Sequence, residues 1–295
     1  MRFGPAASAL ALMLAACGGG SSHEDAGEAH AEAGAHGGEE QAQGHGEEHA
    51  DSHGVTLGPA EAHASPSVAN QHAQDAAHWT YANQRAWAAA GGMCGRGQEQ
   101  SPINLQSAAP MAEVPDLVPH YMPAAGGFVN NGHTLQFTPA QSQASLSIGE
   151  DAFGLAQFHF HSPAEHTLDR RAYPAELHFV HRNEAGQLAV VGVFIEEGAE
   201  NAALAALLAH LPEQTGDAHV QQVDLNLMAL LPPDRAYFAY AGSLTTPPCN
   251  EGVRWNVLRT PITASSEQIA ALREALGSSS RHVQPVNQRT VLLGS

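Results

Sequence analysis

The sequence contains no lysine, and all 12 of its basic residues are arginine. They stand against 30 acidic residues, so the formal net charge of the 295-residue chain is −18. No stretch of the chain accumulates basic side chains. Because affinity for nucleic acid depends on cations that neutralise phosphate groups, this composition argues against a nucleic-acid partner.

Long hydrophobic runs are also missing, apart from one near the start of the chain. Arg2 is followed by an apolar run from Ala6 to Ala16, which is too short to span a bilayer as a mature helix. Residues 14–17, Leu-Ala-Ala-Cys, resemble the end of a bacterial lipoprotein signal, with an ordinary signal peptide as the alternative. The pattern predicts a signal peptide over residues 1–16, lipidation of Cys17 and export. We expect the protein in the periplasm or cell envelope, with the lipid as its only membrane contact.

Large apolar residues are almost absent between Gly18 and Asp75, where Ala, Gly, Glu and His dominate. Such a segment cannot bury enough surface to offset its ordering entropy, so residues 17–76 are predicted to form a flexible tether. From Gly18 to His78 the chain has 11 acidic residues and nine of its 19 histidines. Histidine-rich tracts can bind metal, so this tail is either a site for additional metal or a soluble spacer.

Cysteine is scarce, with three residues in the whole chain. Apart from Cys17, only Cys94 and Cys249 remain. In an oxidising compartment two such thiols usually pair, although two unpaired buried thiols are the alternative. A free catalytic cysteine is less favoured than either.

The remaining part, residues 77–295, predicts one mainly β domain. Alternating apolar residues predict seven strands, over residues 134–138, 144–148, 155–161, 176–181, 188–195, 236–240 and 253–258. Helical periodicity predicts helices over Ala199–Leu211 and Ser266–Leu276. Ser265 and Gln268 can form a capping box for the second helix, and Gly277 lies just past its end.

Histidines alternate with aromatic residues over residues 157–161, Gln-Phe-His-Phe-His. In a strand, His159 and His161 lie on the same face. A second alternating stretch places Glu176 and His178 on one face of another strand. If the two strands are neighbours, three imidazoles converge, and three nitrogen ligands with an open fourth position are typical of a catalytic zinc site. The alternative is a set of ordinary histidines satisfied within the core.

Several further motifs support the catalytic interpretation. Residues 162–167 read Ser-Pro-Ala-Glu-His-Thr, and residues 242–248 read Gly-Ser-Leu-Thr-Thr-Pro-Pro. Upstream, residues 100–104 read Gln-Ser-Pro-Ile-Asn and residues 130–133 read Asn-Asn-Gly-His. Together with the histidine strands, these motifs closely resemble the α-class carbonic anhydrases, in the order and spacing of that family, over about residues 78–295. The resemblance implies a mainly β (α+β) fold with a large central, mostly antiparallel twisted sheet and a few peripheral helices.

The same resemblance implies an activity and a set of metal ligands. The activity is the reversible hydration of carbon dioxide to bicarbonate and a proton, by hydroxide bound to one catalytic zinc ion. His159, His161 and His178 are expected to hold the zinc. Gln157 and Glu176 are expected to orient these ligands from behind.

Other residues receive their roles from the resemblance in the same way. Thr245 is expected to accept a hydrogen bond from the zinc-bound hydroxide and to donate one to Glu165, because an ionised carboxylate can only accept. His133 is expected to shuttle the proton to buffer, since the pKa of histidine lies near ambient pH. The expected walls of the carbon dioxide pocket are Val180, Val190, Leu244, Thr246 and Trp255. Bacterial members of the family also carry a disulfide at the positions of Cys94 and Cys249, and they are often homodimers.

Two rival functions remain open. An envelope lipoprotein that binds or stores zinc is favoured by the histidine-rich tail, but a storage site has no use for the pair of Thr245 and Glu165. A cupin-like metal enzyme also presents His-x-His on strands, but it leaves residues 242–248 unexplained. Residues 277–288 are the part least like the family, and no role is predicted for them.

Overall fold

β-strands are the commonest regular structure in the described part of the chain. The computed structural model of the protein describes residues 79–89, 91–141, 144–216 and 219–294. The predicted signal peptide over residues 1–16, the lipidation site Cys17 and the tether over residues 17–76 lie outside the described residues.

The described residues contain fourteen strands, in this order: β1 Asn104–Leu105, β2 Leu117–His120, β3 Ala124–Asn130, β4 Leu135–Pro139, β5 Ser145–Ile148, β6 Asp151–His161, β7 Thr167–Leu168, β8 Arg171–Ala172, β9 Ala175–Arg182, β10 Leu188–Glu197, β11 Gln221–Leu225, β12 Tyr237–Ser243, β13 Glu251–Ala264 and β14 Leu292–Gly294. All seven predicted strands are present among them, several of them longer than predicted.

The main sheet has eleven strands, nine of them in the order β11-β3-β4-β6-β9-β10-β13-β12-β14, with β5 joined to β6 and β2 joined to β5. Every pairing in this sheet is antiparallel except that of β10 with β13. The short strands β1, β7 and β8 form a separate small sheet. The predicted mainly β fold with a mostly antiparallel sheet is therefore confirmed.

The two faces of the sheet bury different clusters, as the period of two in a strand requires. Along β10, Val191 and Val193 belong to the larger core, whereas Val190 and Phe194 belong to a second cluster. Phe158 of β6 lies in the larger core and is 0% exposed. Full burial of each such side chain contributes about 1.5–3 kcal/mol, so this face carries much of the stability of the domain.

A helix over Ala202–Leu208 covers part of the larger core. The predicted bounds, Ala199–Leu211, are wrong at both ends. The side chain of Asn201 accepts hydrogen bonds from the amides of Ala203 and Leu204, each 3.0 Å long. This N-cap satisfies two amides that have no partner within the helix, and it fixes the start at Ala202.

The second helix runs over Ser266–Leu276, as predicted. Ser265 and Gln268 form the predicted capping box, and the left-handed Gly277, with φ 59°, ends the helix. Two 3-10 helices, Tyr81–Ala88 and Leu227–Leu230, complete the helical structure of the described residues. Among these helices, none is long and apolar enough to cross a membrane.

Cys94 and Cys249 form a disulfide with their Cα atoms 4.9 Å apart, which confirms the predicted pairing. Cys249 is 0% exposed and packs in a small cluster with Trp79 and Trp87. The bond therefore ties the segment after β12 to the first described residues of the chain.

Candidate metal centre

The pairing of β6 with β9 brings three histidines together. Its register sets His159 opposite His178 and His161 opposite Glu176. Nitrogen atoms of His159, His161 and His178 all lie within 4.8 Å of one another. His161 and His178 are each 1% exposed, whereas His159 is only half-buried. The group therefore opens towards solvent on the side of His159.

Each of the three imidazoles is held from behind at one nitrogen. The Gln157 Oε1 atom lies 2.9 Å from His159 Nδ1, and the Ser279 carbonyl oxygen lies 2.5 Å from His161 Nδ1. Glu176 Oε1 lies 2.9 Å from the third ring, at His178 Nε2. Because all three partners are acceptors, each ring donates its N–H to them and turns its lone pair into the site.

His161 Nε2 provides the clearest sign of a missing partner, since it is buried and has no hydrogen bond. A buried polar atom without a partner carries a large desolvation cost unless a ligand completes it. Burial also lowers the pKa of His161 to about 4, so the imidazole is neutral, as a metal ligand must be. Three neutral nitrogen donors around one point fit zinc and leave a fourth position for solvent.

Glu176 is the centre of a buried hydrogen-bond network behind His178. Its Oε2 accepts the amides of Glu165 and His166, at 2.9 and 2.8 Å, and its Oε1 accepts His166 Nδ1 at 2.7 Å as well as His178. Burial opposes ionisation of Glu176, but His166 and His178 outweigh it and hold the pKa of this carboxyl well below its usual range. The carboxylate can therefore fix the tautomer of His178.

Gly192 leaves room for this hydrogen-bond network, and Tyr240 extends it. A Cβ atom at Gly192 would lie 3.0 Å from Glu176 Oε1, so the absence of a side chain there accommodates the carboxylate. On the other side, the Tyr240 hydroxyl lies 2.6 Å from His166 Nε2 and 3.0 Å from Ser101 Oγ. Since His166 donates to Glu176 through Nδ1, its Nε2 accepts the hydroxyl proton of Tyr240.

Glu165 and Thr245 lie beside the histidine group. The Arg281 amide donates to Glu165 Oε1 at 2.8 Å, while Glu165 Oε2 is 3.5 Å from His161 Nε2. Burial raises the pKa of Glu165 to about 7, and His178, the Arg281 amide and the Thr245 hydroxyl act in the opposite direction. Glu165 Oε2 is buried without a hydrogen-bond partner, and the Thr245 hydroxyl lies near the carboxyl group.

The predicted pocket residues mostly share one apolar cluster. Val190 and Trp255 are each 2% exposed, and Val180 and Leu244 pack against the same cluster. The Trp255 ring centroid lies 4.9 Å from that of His178, and its indole N–H donates to the Ser243 carbonyl at 2.9 Å. Thr246 is half-buried on the adjoining loop. An apolar wall therefore stands directly beside the histidine group.

His133 lies apart from the three histidines, in the turn between β3 and β4. Its ring stacks on Trp79, with centroids 4.0 Å apart and planes 14° from parallel. Gly132, with φ 87°, forms the predicted turn. His133 is half-buried by this packing, which lowers the pKa of its imidazole below the usual value of histidine.

Several residues of this site escape prediction from the sequence. His166 lies in the motif of residues 162–167 and Tyr240 ends the predicted strand over residues 236–240, but nothing in their spacing indicates a shared hydrogen bond. Ser279 contacts His161 through its backbone carbonyl, which no side-chain pattern can reveal. Arg281 belongs to the stretch least like the family. Tyr81 likewise places a buried hydroxyl without a hydrogen-bond partner near Glu165, and burial, followed by the charge of Glu165, raises the pKa of this phenol.

Comparison with known proteins agrees with this geometry. The family model for eukaryotic-type carbonic anhydrases matches residues 82–294. The chain is 42% identical over 227 residues to a carbonic anhydrase of Klebsiella pneumoniae, which covers 74% of this chain and 91% of that protein. It is 40% identical over 209 residues to a carbonic anhydrase of Nostoc sp., covering 68% of this chain and 77% of that protein.

Two solved structures resemble the fold. One is the α-carbonic anhydrase from Thermovibrio ammonificans in complex with the inhibitor sulfanilamide, with a TM-score of 0.69, 38% identity, and coverage of 73% of this chain and 99% of that one. The other is the Photobacterium profundum α-carbonic anhydrase, with a TM-score of 0.68, 39% identity, and coverage of 73% and 100%. With its histidine site on this sheet, the chain belongs to the eukaryotic-type, or α-class, carbonic anhydrase family.

Proposed function

We propose that this protein catalyses the reversible hydration of carbon dioxide to bicarbonate and a proton. His159 Nε2, His161 Nε2 and His178 Nδ1 would hold the single catalytic zinc ion. The observation that carries this assignment is the buried, unpartnered Nε2 of His161 among three imidazoles whose other nitrogens are already occupied. When bound, zinc lowers the pKa of water to about 7 and so makes hydroxide available at neutral pH.

Thr245 and Glu165 orient the attacking oxygen in this proposal. The Arg281 amide holds one oxygen of Glu165, so the other oxygen faces His161 and His178. The Thr245 hydroxyl lies near the same carboxyl group. A cation among the histidines favours the ionised form of Glu165, which can only accept. The Thr245 proton then points at the carboxylate, and the threonine lone pair accepts the hydrogen of the attacking oxygen. This orientation is in place before carbon dioxide arrives.

The apolar wall supplies the substrate position. Carbon dioxide offers little to hydrogen-bond, so Val180, Val190, Leu244 and Trp255 suit it better than polar side chains would. Thr246 lies on the loop that borders this wall. The Trp255 indole N–H is already bonded to Ser243, which leaves only its apolar surface for the substrate.

His133 exports the proton to buffer. Its ring is half-buried on Trp79 and its pKa lies below the usual value of histidine, so it is neutral and able to accept a proton at pH 7. Replacement of His133 by alanine should slow turnover in dilute buffer and leave it nearly unchanged in concentrated imidazole buffer. Equal slowing in both buffers would argue against the shuttle.

The proposal is tested on Thr245→Ala by measuring hydration in a stopped-flow instrument and zinc content on the same samples. We expect a wild type with one zinc per chain and fast turnover that sulfonamides inhibit. Thr245→Ala should keep its zinc and lose about 100-fold in kcat, because the nucleophile is no longer oriented. A zinc-storage protein would bind the metal without turnover, and turnover that survives removal of zinc would refute the proposal.

For localisation, the disulfide and the bacterial relatives support an exported protein, and residues 1–17 support a lipid anchor at Cys17 in the periplasm or cell envelope. Labelling with radioactive palmitate, compared between wild type and Cys17→Ser, tests the anchor. The protein is also proposed to form a homodimer. Sedimentation equilibrium tests this by measuring whether the mass in solution is that of one chain or of two.

The tail would bind additional zinc through its histidines. A zinc titration of the chain with and without residues 18–75 tests this role, and equal stoichiometry in the two forms would end it.

A further inference from the structure

The irregular stretch between Gly277 and Val291 contributes a buried arginine beside the site. Arg281 is 5% exposed. Its Nη1 donates to the Ser101 carbonyl at 2.8 Å, and its Nη2 donates to the Cys94 carbonyl at 3.3 Å. The guanidinium also lies over the Trp87 ring, 5.7 Å from its centroid. A buried guanidinium is tolerated only where such partners replace water, so this arrangement is specific.

The two carbonyl partners of Arg281 lead to the two ends of one loop, residues 243–249, which we call the Thr245 loop. Ser101 exchanges two hydrogen bonds with Ser243, from its amide to Ser243 Oγ at 2.9 Å and from the Ser243 amide to Ser101 Oγ at 3.1 Å. Cys94 is bonded covalently to Cys249. The guanidinium thus contacts the anchor of each end of the Thr245 loop.

The backbone of the same residue reaches the other partner of Thr245. The Arg281 amide donates to Glu165 Oε1 at 2.8 Å, and Glu165 Oε2 is left facing His161 Nε2 at 3.5 Å. The rotation of the Glu165 carboxyl group is therefore set by where the backbone of Arg281 lies.

We propose that Arg281 is a positioning residue for the reaction, since it fixes Glu165 through its amide and the Thr245 loop through its guanidinium. The two catalytic partners come from distant parts of the chain, and this one residue fixes both of them in place. The inference rests on the proposed function, because the pair of Thr245 and Glu165 matters only if hydration occurs here.

Arg289 provides a matched control. Its guanidinium also binds backbone carbonyls near the site, those of Gln100 at 2.8 Å and Ala241 at 3.0 Å. Its amide, however, donates to the Val286 carbonyl at 3.3 Å. Loss of either guanidinium removes hydrogen bonds to backbone carbonyls, two for Arg281 and four for Arg289. Only Arg281 is also bonded to a catalytic side chain, Glu165.

Stopped-flow hydration assays of Arg281→Met and Arg289→Met test the proposal on the zinc-loaded protein. We expect kcat of Arg281→Met to fall about 10- to 100-fold with KM and zinc content nearly unchanged, because misplacement of about 1 Å can cost that much. Arg289→Met should keep the wild-type kcat. If both variants keep it, Arg281 has no positioning role. If Arg281→Met does not fold, Arg281→Lys takes its place, since lysine cannot reach both carbonyls.

A double variant separates positioning from general damage. If Arg281 acts through Thr245, then Arg281→Met should have no further effect on kcat in a Thr245→Ala background. The same fold-loss in both backgrounds would indicate a merely structural role and overturn the proposal.

Hydrogen exchange of the zinc-free protein gives a readout that does not depend on activity. In the Thr245 loop, the Cys249 amide donates to Thr246 at 2.8 Å and the Leu244 amide to Asn250 at 2.9 Å. These amides should exchange faster in Arg281→Met than in Arg289→Met. Equal exchange would contradict the proposal. An inactive wild type would defeat the proposed function, whereas an active wild type with unimpaired Arg281 variants would defeat only this inference.

Discussion

Two differently built regions meet at the histidine group. The paired strands β6 and β9 supply all three imidazoles, and the register of their backbone hydrogen bonds sets where each ring lies. The Thr245 loop and the segment after Gly277 have almost no ladder bonds, and they are held by side chain–backbone contacts and a disulfide. The positions of the three histidines therefore depend mainly on regular structure, with the Ser279 carbonyl behind His161 as the exception. The proposed orientation of the reacting groups by Thr245 and Glu165 depends on irregular structure.

The largest expected effect is on metal binding by the strand region. His178→Ala removes a metal ligand and should lower zinc affinity by more than about 100-fold. Loss of a residue that only hydrogen-bonds to a metal ligand already costs about 10–100-fold. Competition with a chelator measures this. His181, on the opposite face of β9, bonds instead to the Tyr121 hydroxyl at 2.7 Å, so His181→Asn should keep its zinc affinity. Equal losses in both variants would contradict the division of β9 into two faces.

Removal of the disulfide should affect the irregular region and spare the strands. The double variant Cys94→Ser and Cys249→Ser should lose about 2–5 kcal/mol of unfolding free energy, because the reduced unfolded chain is less constrained. Guanidinium denaturation measures the loss, and chelator competition should show unchanged zinc affinity. A large fall in affinity would mean that the strands do not hold the ligand geometry on their own.

His181 is buried on the face of β9 opposite His178, and its burial predicts that the unfolding free energy depends on pH. Burial lowers the pKa of His181 to about 4 in the folded protein, against about 6.5 when unfolded. Between these values the unfolded chain binds more protons, so this contribution is complete above pH 6.5 and is lost as pH falls towards 4. The loss is about 3 kcal/mol at 1.36 kcal/mol for each pH unit. Denaturation of His181→Asn across this range should show a slope smaller by about one proton, and an unchanged slope would refute the assignment.

Tyr240→Phe probes the network between the two regions. It leaves His166 Nε2 without its partner, so the orientation of Glu176 and then of His178 is loosened. Zinc affinity should fall by about 10-fold, which is the low end of the 10–100-fold range for residues that support a metal ligand without binding the metal. Tyr237→Phe, on the same strand but bonded to Pro115, is the control and should leave affinity unchanged. An identical response in both variants would remove Tyr240 from the network.

The smallest effect on the site is expected from a substitution that lies outside both the histidine strands and the Thr245 loop. Ser265→Ala removes the capping box of the Ser266–Leu276 helix and should cost about 1 kcal/mol of unfolding free energy, measured by denaturation. Hydration kcat should not change. A change in kcat would show that the helix transmits strain to the segment that follows Gly277.

The sequence predicts the strand region well, because a period of two along β6 and β9 specifies both burial and the face of each histidine. Seven of the fourteen strands are not predicted, and five of these seven lack that signal. β3 has the small residues Ala-Ala-Gly-Gly at its start, β2 contains Pro119, and β1, β7 and β8 have two residues each. These strands form because strands from other parts of the chain pair with them, which their own residues do not indicate.

The irregular half of the site was predicted only as far as the family resemblance reaches. Glu165 and Thr245 lie in recognised motifs, but the contacts of Ser279 and Arg281 use a backbone carbonyl and a backbone amide. Backbone groups are the same in every residue, so residue type carries no information about them. Only the folded path of residues 277–291 reveals these contacts.

The parallel pairing of β10 with β13 has a consequence for how the enzyme matures. It pairs Val190 with Trp255. These two walls of the proposed substrate pocket therefore come from segments separated by the whole stretch that contains β11 and β12. That long loop must close before the pocket exists, and closure of distant segments slows folding. A newly made chain therefore assembles its pocket late, and any maturation step that needs the finished pocket has to wait for this strand pair to form.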